Sequence, residues 1–210
     1  MDIVVAPRVE RYLDNLVTNP TPLLHEMQKA AAARGIPDVG VPVGRLLEQY
    51  ARLVDARRVI EIGSGVGYSG AWLARGMTHG GSLHLIDDNE EFAAAARDFA
   101  RSFENGVEVT VSCGDALAIL EASDGRYDII FNDCEKHDYP RVYHLARPRL
   151  RRGGLLICDN ALWGGAVAED TPRDTETAAI QEYNRLVIND PGLLTTILPL
   201  RDGVAVSLVL

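Results

Sequence analysis

At 210 residues, with 47% hydrophobic and 24% charged residues, the chain has the length and composition of one soluble globular domain with a sizeable core. A formal net charge of −9 weighs against a nucleic-acid or membrane-surface binder, because both rely on basic patches. Cys113, Cys134 and Cys158, odd in number and without metal-ligand spacing, point to a reducing compartment and no disulfide framework.

The opening MDIVVAPRVERYLD lacks a basic segment followed by an apolar core, so no signal peptide is expected. No apolar run approaches the ~20 residues of a membrane span, and the expectation is a cytoplasmic protein. Val9, Tyr12, Leu13 and Leu16 recur at helical spacing and predict a helix over 8–18. A second is predicted over 22–34, with Thr21 as N-cap, Pro22 at the first helical position and Gly35 as terminator. After the turn IPDVGVPVG a third runs over 44–55, so residues 1–55 form an N-terminal helical cap on a core of 56–210.

From there the pattern alternates. The apolar runs RVIEI, SLHLI, VEVTV, YDIIFN and GLLIC are separated by helical stretches such as 90–103 and 138–147. Such alternation implies βαβ units and a mostly parallel sheet with helices on both faces. The cluster Arg147-Pro-Arg149-Leu-Arg151-Arg152 reads as a solvated helix end. A last helix is predicted over 174–189, and LLTTILPL and VAVSLVL flank Arg201-Asp202-Gly203, a hairpin signal. The expected fold is α/β: a single-domain Rossmann-like sheet, mostly parallel, with a C-terminal antiparallel hairpin strand.

The stretch RVIEIGSGVGYSG contains a literal G-x-G-x-x-G at Gly65, Gly67 and Gly70, the pattern of a dinucleotide-binding turn. In that frame the first glycine should follow the strand directly, yet Gly65 comes two residues late. Glu61 near the mouth would repel a pyrophosphate. A cationic ligand reverses the argument: the methionine part of S-adenosylmethionine carries a sulfonium and an ammonium, and glycines at 63, 65 and 67 let backbone approach it. Asp87, ending SLHLID, is placed to accept ribose hydroxyls from either ligand, and a glycine turn holding no ligand is the plain alternative.

The fourth and fifth strands end in acids, Asp133 in FNDCEKHDYP and Asp159-Asn160 in CDNALWGG. If these strands are neighbours, two carboxylates and one amide oxygen converge, a hard-oxygen set suited to Mg²⁺, or to Mn²⁺ or Ca²⁺, and not to zinc. Each acid alone reads equally well as a helix N-cap. Lys136 alone reads as a surface lysine. Beside a dication and a sulfonium its ammonium is expected to shift towards neutrality and service as a base.

These segments, with DVGVPVGRLL, GDALAIL and LPLRDGVAVS, resemble the metal-dependent catechol and caffeoyl-CoA O-methyltransferases, a branch of the class I S-adenosylmethionine methyltransferases, over nearly the full length. The resemblance implies that the Val39 backbone, Glu61, Gly63, Gly65, Ser69 and Asp87 bind adenosylmethionine, together with Asp133, and that Asp115 and Ala116 border its adenine. It implies a metal on Asp133, Asp159 and Asn160, catalysis by Lys136 and Asp133 with Lys136 as general base, and an acceptor pocket of Lys136, Asn160 and Trp163. Trp163 reads equally well as a buried structural indole. The implied reaction is in-line methyl transfer to one hydroxyl of a catechol-like small molecule that chelates the metal. Cys134-Glu135 departs from many members, and no long insertion is present to enclose a coenzyme A ester. The family suggests a homodimer, with no nucleic-acid or membrane partner. The rival readings are an NAD-dependent oxidoreductase, resting on G-x-G-x-x-G alone, and a non-catalytic adenosylmethionine-binding regulatory module.

Overall fold

The apolar runs from Arg58 onward assemble into one seven-stranded sheet. In the computed structural model, which describes residues 7–103 and 106–210, the strands are β1 (Arg58–Ile62), β2 (Ser82–Asp87), β3 (Glu108–Cys113), β4 (Tyr127–Asn132), β5 (Leu150–Cys158), β6 (Leu193–Leu198) and β7 (Val204–Val209). Their order is β3-β2-β1-β4-β5-β7-β6. The first five are mutually parallel, and β7 runs antiparallel between β5 and β6. This is the expected Rossmann-like sheet with its antiparallel hairpin strand. The first six residues, part of the segment examined for a signal peptide, lie outside the described residues.

Strand residues alternate between two cores, one on each face. Val59, Leu85, Phe131 and Ile157 face the side of α2 (Pro22–Ala33), α3 (Gly40–Leu53) and α4 (Tyr68–Gly76), where Met27, Leu47 and Trp72 are fully buried. Ile60, Ile130 and Leu156 face α6 (Ala116–Ala122), α7 (Tyr139–Ala146) and α8 (Thr175–Asn189), with Tyr139 and Tyr183 edge to face at 5.6 Å. α5 (Glu90–Ala100) lies between β2 and β3 in the chain and packs on both. Burial on both faces is why these strands read as apolar runs.

Several boundaries differ from expectation. α3 begins at Gly40 rather than 44, because Pro42 sits in the first turn, where an N–H has no intrahelical acceptor. Asp38 Oδ1 accepts the Gly40 N–H there at 2.7 Å. β5 begins four residues early, at Leu150, since its polar start carries no apolar signal. The basic cluster is no merely solvated helix end. Arg147 pairs with Asp190 at 2.8 Å, Arg149 donates to the Leu145 and Glu121 carbonyls, and Arg151 binds Asp128 and the Val54 carbonyl. In α1 (Pro7–Leu16) the apolar spacing predicts a helix correctly, but Val9, Tyr12, Leu13 and Leu16 are exposed. Among the described residues no helix is long and apolar enough to cross a membrane.

Candidate active site

At the carboxyl end of β1 the chain turns sharply through Gly63, Ser64 and Gly65. The Gly63 and Ser64 N–H groups donate to the Ile86 carbonyl at 2.9 and 3.0 Å, tying the loop to β2. Asp87 completes the tie: its Oδ2 accepts the Gly65 N–H at 2.7 Å and its Oδ1 the Asn89 N–H at 3.0 Å. A Cβ at Gly63 would lie 2.4 Å from the Asp133 carbonyl oxygen, so this glycine lets the loops after β1 and β4 touch. Gly70 lies inside α4, where a Cβ would meet Leu85 at 2.5 Å and Glu61 Oε2 at 2.9 Å. The third glycine of the literal dinucleotide pattern therefore brings helix onto sheet.

Glu61 is fully buried beneath this loop. Its Oε1 accepts a short hydrogen bond from the Ser69 hydroxyl, and Oε2 has no partner. Burial pushes its pKa up to about 8; the Ser69 bond opposes this, while the charges of Asp133 and Asp87 add to it. Glu61 is thus the one predicted binding residue that does not line the cleft above it.

That cleft, of about 680 Å³, brings together all the others: Val39, Gly63, Gly65, Ser69, Asp87, Asp115, Ala116, Asp133, Lys136, Asp159, Asn160 and Trp163. The Asp115 carboxylate also caps α6, accepting from the Leu117 and Ala118 N–H groups at 2.9 and 3.1 Å. Sequence reasoning missed the apolar walls Ile36, Phe92 and Leu117, which carry no motif.

β4 and β5 are neighbours, with Asn132 opposite Cys158, so Asp133 and Asp159 leave the sheet side by side. Burial pushes Asp159 up to about 7, and the charge of Asp133 adds to the shift. Asp133 is likewise raised by burial, opposed by Lys136. The Lys136 ammonium lies 3.1 Å from Asp133 Oδ1 and 3.0 Å from the Cys134 carbonyl, and 5.2 Å from the Tyr139 ring centroid. Burial works against its charge, but Asp133 outweighs burial and holds the lysine above its ordinary pKa. In the protein alone Asp133 thus holds the lysine charged; the shift towards neutrality is expected only beside a dication and a sulfonium.

Asn160 adopts a left-handed backbone, φ +55°. Its N–H donates to Asp159 Oδ1 at 2.9 Å and its Nδ2 to Asp202 Oδ2 at 3.3 Å, which leaves its side-chain oxygen as the free end. Asp202, also missed from sequence, clips the β6–β7 turn to this loop. Its other carboxylate oxygen accepts the Gly164 N–H, and its carbonyl accepts the Leu162 N–H at 2.9 Å. Trp163 is half-buried, on the cleft wall and packed against the core of the α6, α7 and α8 face. Among the described residues no three His, Cys, Asp or Glu side chains gather to hold a metal; the candidate set is two carboxylates and one amide.

Residues 15–210 match the family model described as O-methyltransferase. A Mycolicibacterium vanbaalenii protein assigned as an O-methyltransferase is 34% identical over 181 residues, covering 83% of this chain and 80% of its own length. Among solved structures, the Bacillus cereus O-methyltransferase in complex with SAH superposes with a TM-score of 0.86 at 28% identity, covering 97% of both chains. TomG of Streptomyces achromogenes, an O-methyltransferase of tomaymycin synthesis solved with SAM, gives 0.85 at 28% identity over 96% of both chains. The chain belongs to this O-methyltransferase family.

Proposed function

We propose that this enzyme transfers a methyl group from S-adenosylmethionine to one hydroxyl of an aromatic vicinal diol, with a divalent cation held by Asp133, Asp159 and Asn160. The observation that carries the reading is a buried carboxylate, Asp159, beside the half-buried Asp133 and a free amide oxygen, opening into the cleft that the glycine loop borders. Lys136 offsets one of the two charges, which leaves room for a further cation beside Asp159, and hard oxygens suit Mg²⁺. When bound, a dication supplies Lewis-acid polarisation of an acceptor hydroxyl. The sulfonium of the donor supplies the methyl group.

This chain's own residues do the rest. Ser69, Asp133 and the 63–65 backbone border the space for the methionine end, with Glu61 beneath as an acid close to its charge. Asp87 ends β2 where ribose hydroxyls would reach it, and Ile36, Phe92 and Leu117 offer apolar surface to a planar base. Lys136, close to Asp133, takes the acceptor's proton; its pKa follows the charge on Asp133, so sharing that charge lowers it towards a useful range. Trp163 walls the acceptor side. Solved relatives holding SAM and SAH support the donor assignment. A purely binding module has no need of Lys136, Asp159 and Asn160, and the exposed face of α1 offers a second copy of the chain a contact surface.

Purified protein given S-adenosylmethionine and catechol is expected to yield the monomethyl ether and S-adenosylhomocysteine in equal amounts by mass spectrometry. Calorimetry should show S-adenosylmethionine binding and no NADH binding. Tight NADH binding without methyl transfer would return the oxidoreductase reading to first place.

A further inference from the structure

A second cleft, of about 700 Å³, lies beyond the turn that carries Val39. Asp38 and Val39 line the catalytic cleft, and Gly40 and Val41 line this one, so the two share a wall. In a chain of net charge −9, no described carboxylate lines the second cleft, whereas Arg201 and His25 do.

Most polar side chains there are committed. The Tyr68 hydroxyl donates to Asn19 Oδ1 at 2.7 Å, Asn19 Nδ2 to Gln28 Oε1 at 3.0 Å, and Gln28 Nε2 to Asp38 Oδ1 at 3.2 Å. Thr21 Oγ1 caps α2. Arg201 differs. Its guanidinium makes one long contact, to the Asp38 carbonyl at 3.5 Å, and among the described residues no carboxylate pairs with it.

Its position is nevertheless held from both sides. Arg201 adopts φ +51°, unusual for a residue with a Cβ, in the turn that Asp202 and Gly203 clip to the Asn160 loop. A Cβ at Gly40 would lie 2.0 Å from Arg201 Nη1, so the guanidinium fills the space this glycine leaves. Its charge is felt in the catalytic cleft, where it opposes the burial that raises Asp159 and Tyr68.

We propose that this second cleft is the outer part of the acceptor site, and that Arg201 binds a carboxylate carried by the diol acceptor. The inference rests on the methyl-transfer reading above. An acidic acceptor enters a chain of net charge −9, and a cation at the outer edge of the cleft favours its approach. The planar guanidinium fork, with most of its N–H groups uncommitted, matches a carboxylate in two parallel hydrogen bonds.

The test is calorimetry in the presence of S-adenosylhomocysteine, comparing 3,4-dihydroxybenzoate with its methyl ester. The wild type is expected to bind the acid about tenfold more tightly than the ester, the scale of one charge-assisted hydrogen bond. Arg201→Gln should erase that ratio and Arg201→Lys keep part of it. Arg201→Gly, which relaxes the positive φ, should erase the ratio in a protein at least as heat-stable as wild type, so that unfolding is not the cause. No preference in the wild type, or a preference that survives in Arg201→Gln and Arg201→Gly, overturns the inference. So does dependence on Arg201 seen only with a diol coenzyme A thioester. Arg201-dependent acid binding without methyl transfer to any diol leaves this site standing and removes the methyl-transfer reading. Diol methylation indifferent to Arg201 does the reverse.

Discussion

Asp159→Ala will lower methyl transfer to a catechol by about 10²–10³-fold, the usual cost of deleting one preorganised electrostatic contact in a catalytic site. Donor binding should stay within a few-fold of wild type, because Asp159 leaves β5, two strands from the Gly63–Gly65 loop and three from Asp87. Stability separates a chemical role from a structural one. Asp159 is nearly buried beside Asp133, and its pKa is pushed up to about 7. Removing it relieves repulsion and leaves only the Asn160 N–H without its acceptor. Melting at pH 8 should therefore be little changed while activity collapses. Asp159→Asn keeps that acceptor and should melt like wild type, yet remain as inactive as the alanine variant. An Asp159→Ala protein that has lost S-adenosylmethionine would move the residue from the metal set to the donor site.

Glu61→Gln is expected to change how stability depends on pH. The ordinary glutamate value is 4.5, and burial raises Glu61 to about 8. Between those values the folded protein holds a proton that the unfolded chain releases. The stabilisation is fully present below about pH 4.5 and is lost as pH rises through about 8. A shift of this size corresponds to a few kcal/mol by order of magnitude. Glutamine preserves the oxygen that accepts from Ser69 and carries no titrating proton. Asp159 contributes in the same direction, and Asp128 and Asp190, both held low, in the opposite one. The difference between the two melting curves isolates Glu61. Between pH 5.5 and 8.5 the wild type should lose ground to Glu61→Gln, whose Tm becomes the higher at the alkaline end. Parallel curves across that range would contradict a buried Glu61 with a raised pKa.

Much of this was legible in the chain because its signals are local. Strands buried on both faces appear as short apolar runs, and acids at strand ends mark the crevice of an open α/β sheet. Thr21 and Asp174 cap helices as their residue types suggest. What escaped depends on contacts between distant residues. β7 inserts between β5 and β6 through pairing across the sheet, and no local pattern encodes that order. Asp202 supports Asn160 from 42 residues away. Pro42 looked like part of a turn because its tolerance in a first helical turn is positional, not compositional. The pairing of Lys136 with Asp133 at 3.1 Å, which holds the lysine charged in the protein alone, could not be read from the sequence because it depends on how the loop after β4 folds back.

Metal dependence tests the proposed chemistry most directly. Enzyme stripped with EDTA and passed into metal-free buffer should lose methyl transfer from S-adenosylmethionine to catechol and recover it on addition of Mg²⁺. Asp133→Asn and Asp159→Asn should not respond to the added ion. Full turnover by the stripped wild-type enzyme, unchanged by Mg²⁺, would contradict the assignment of Asp133, Asp159 and Asn160 as a cation site.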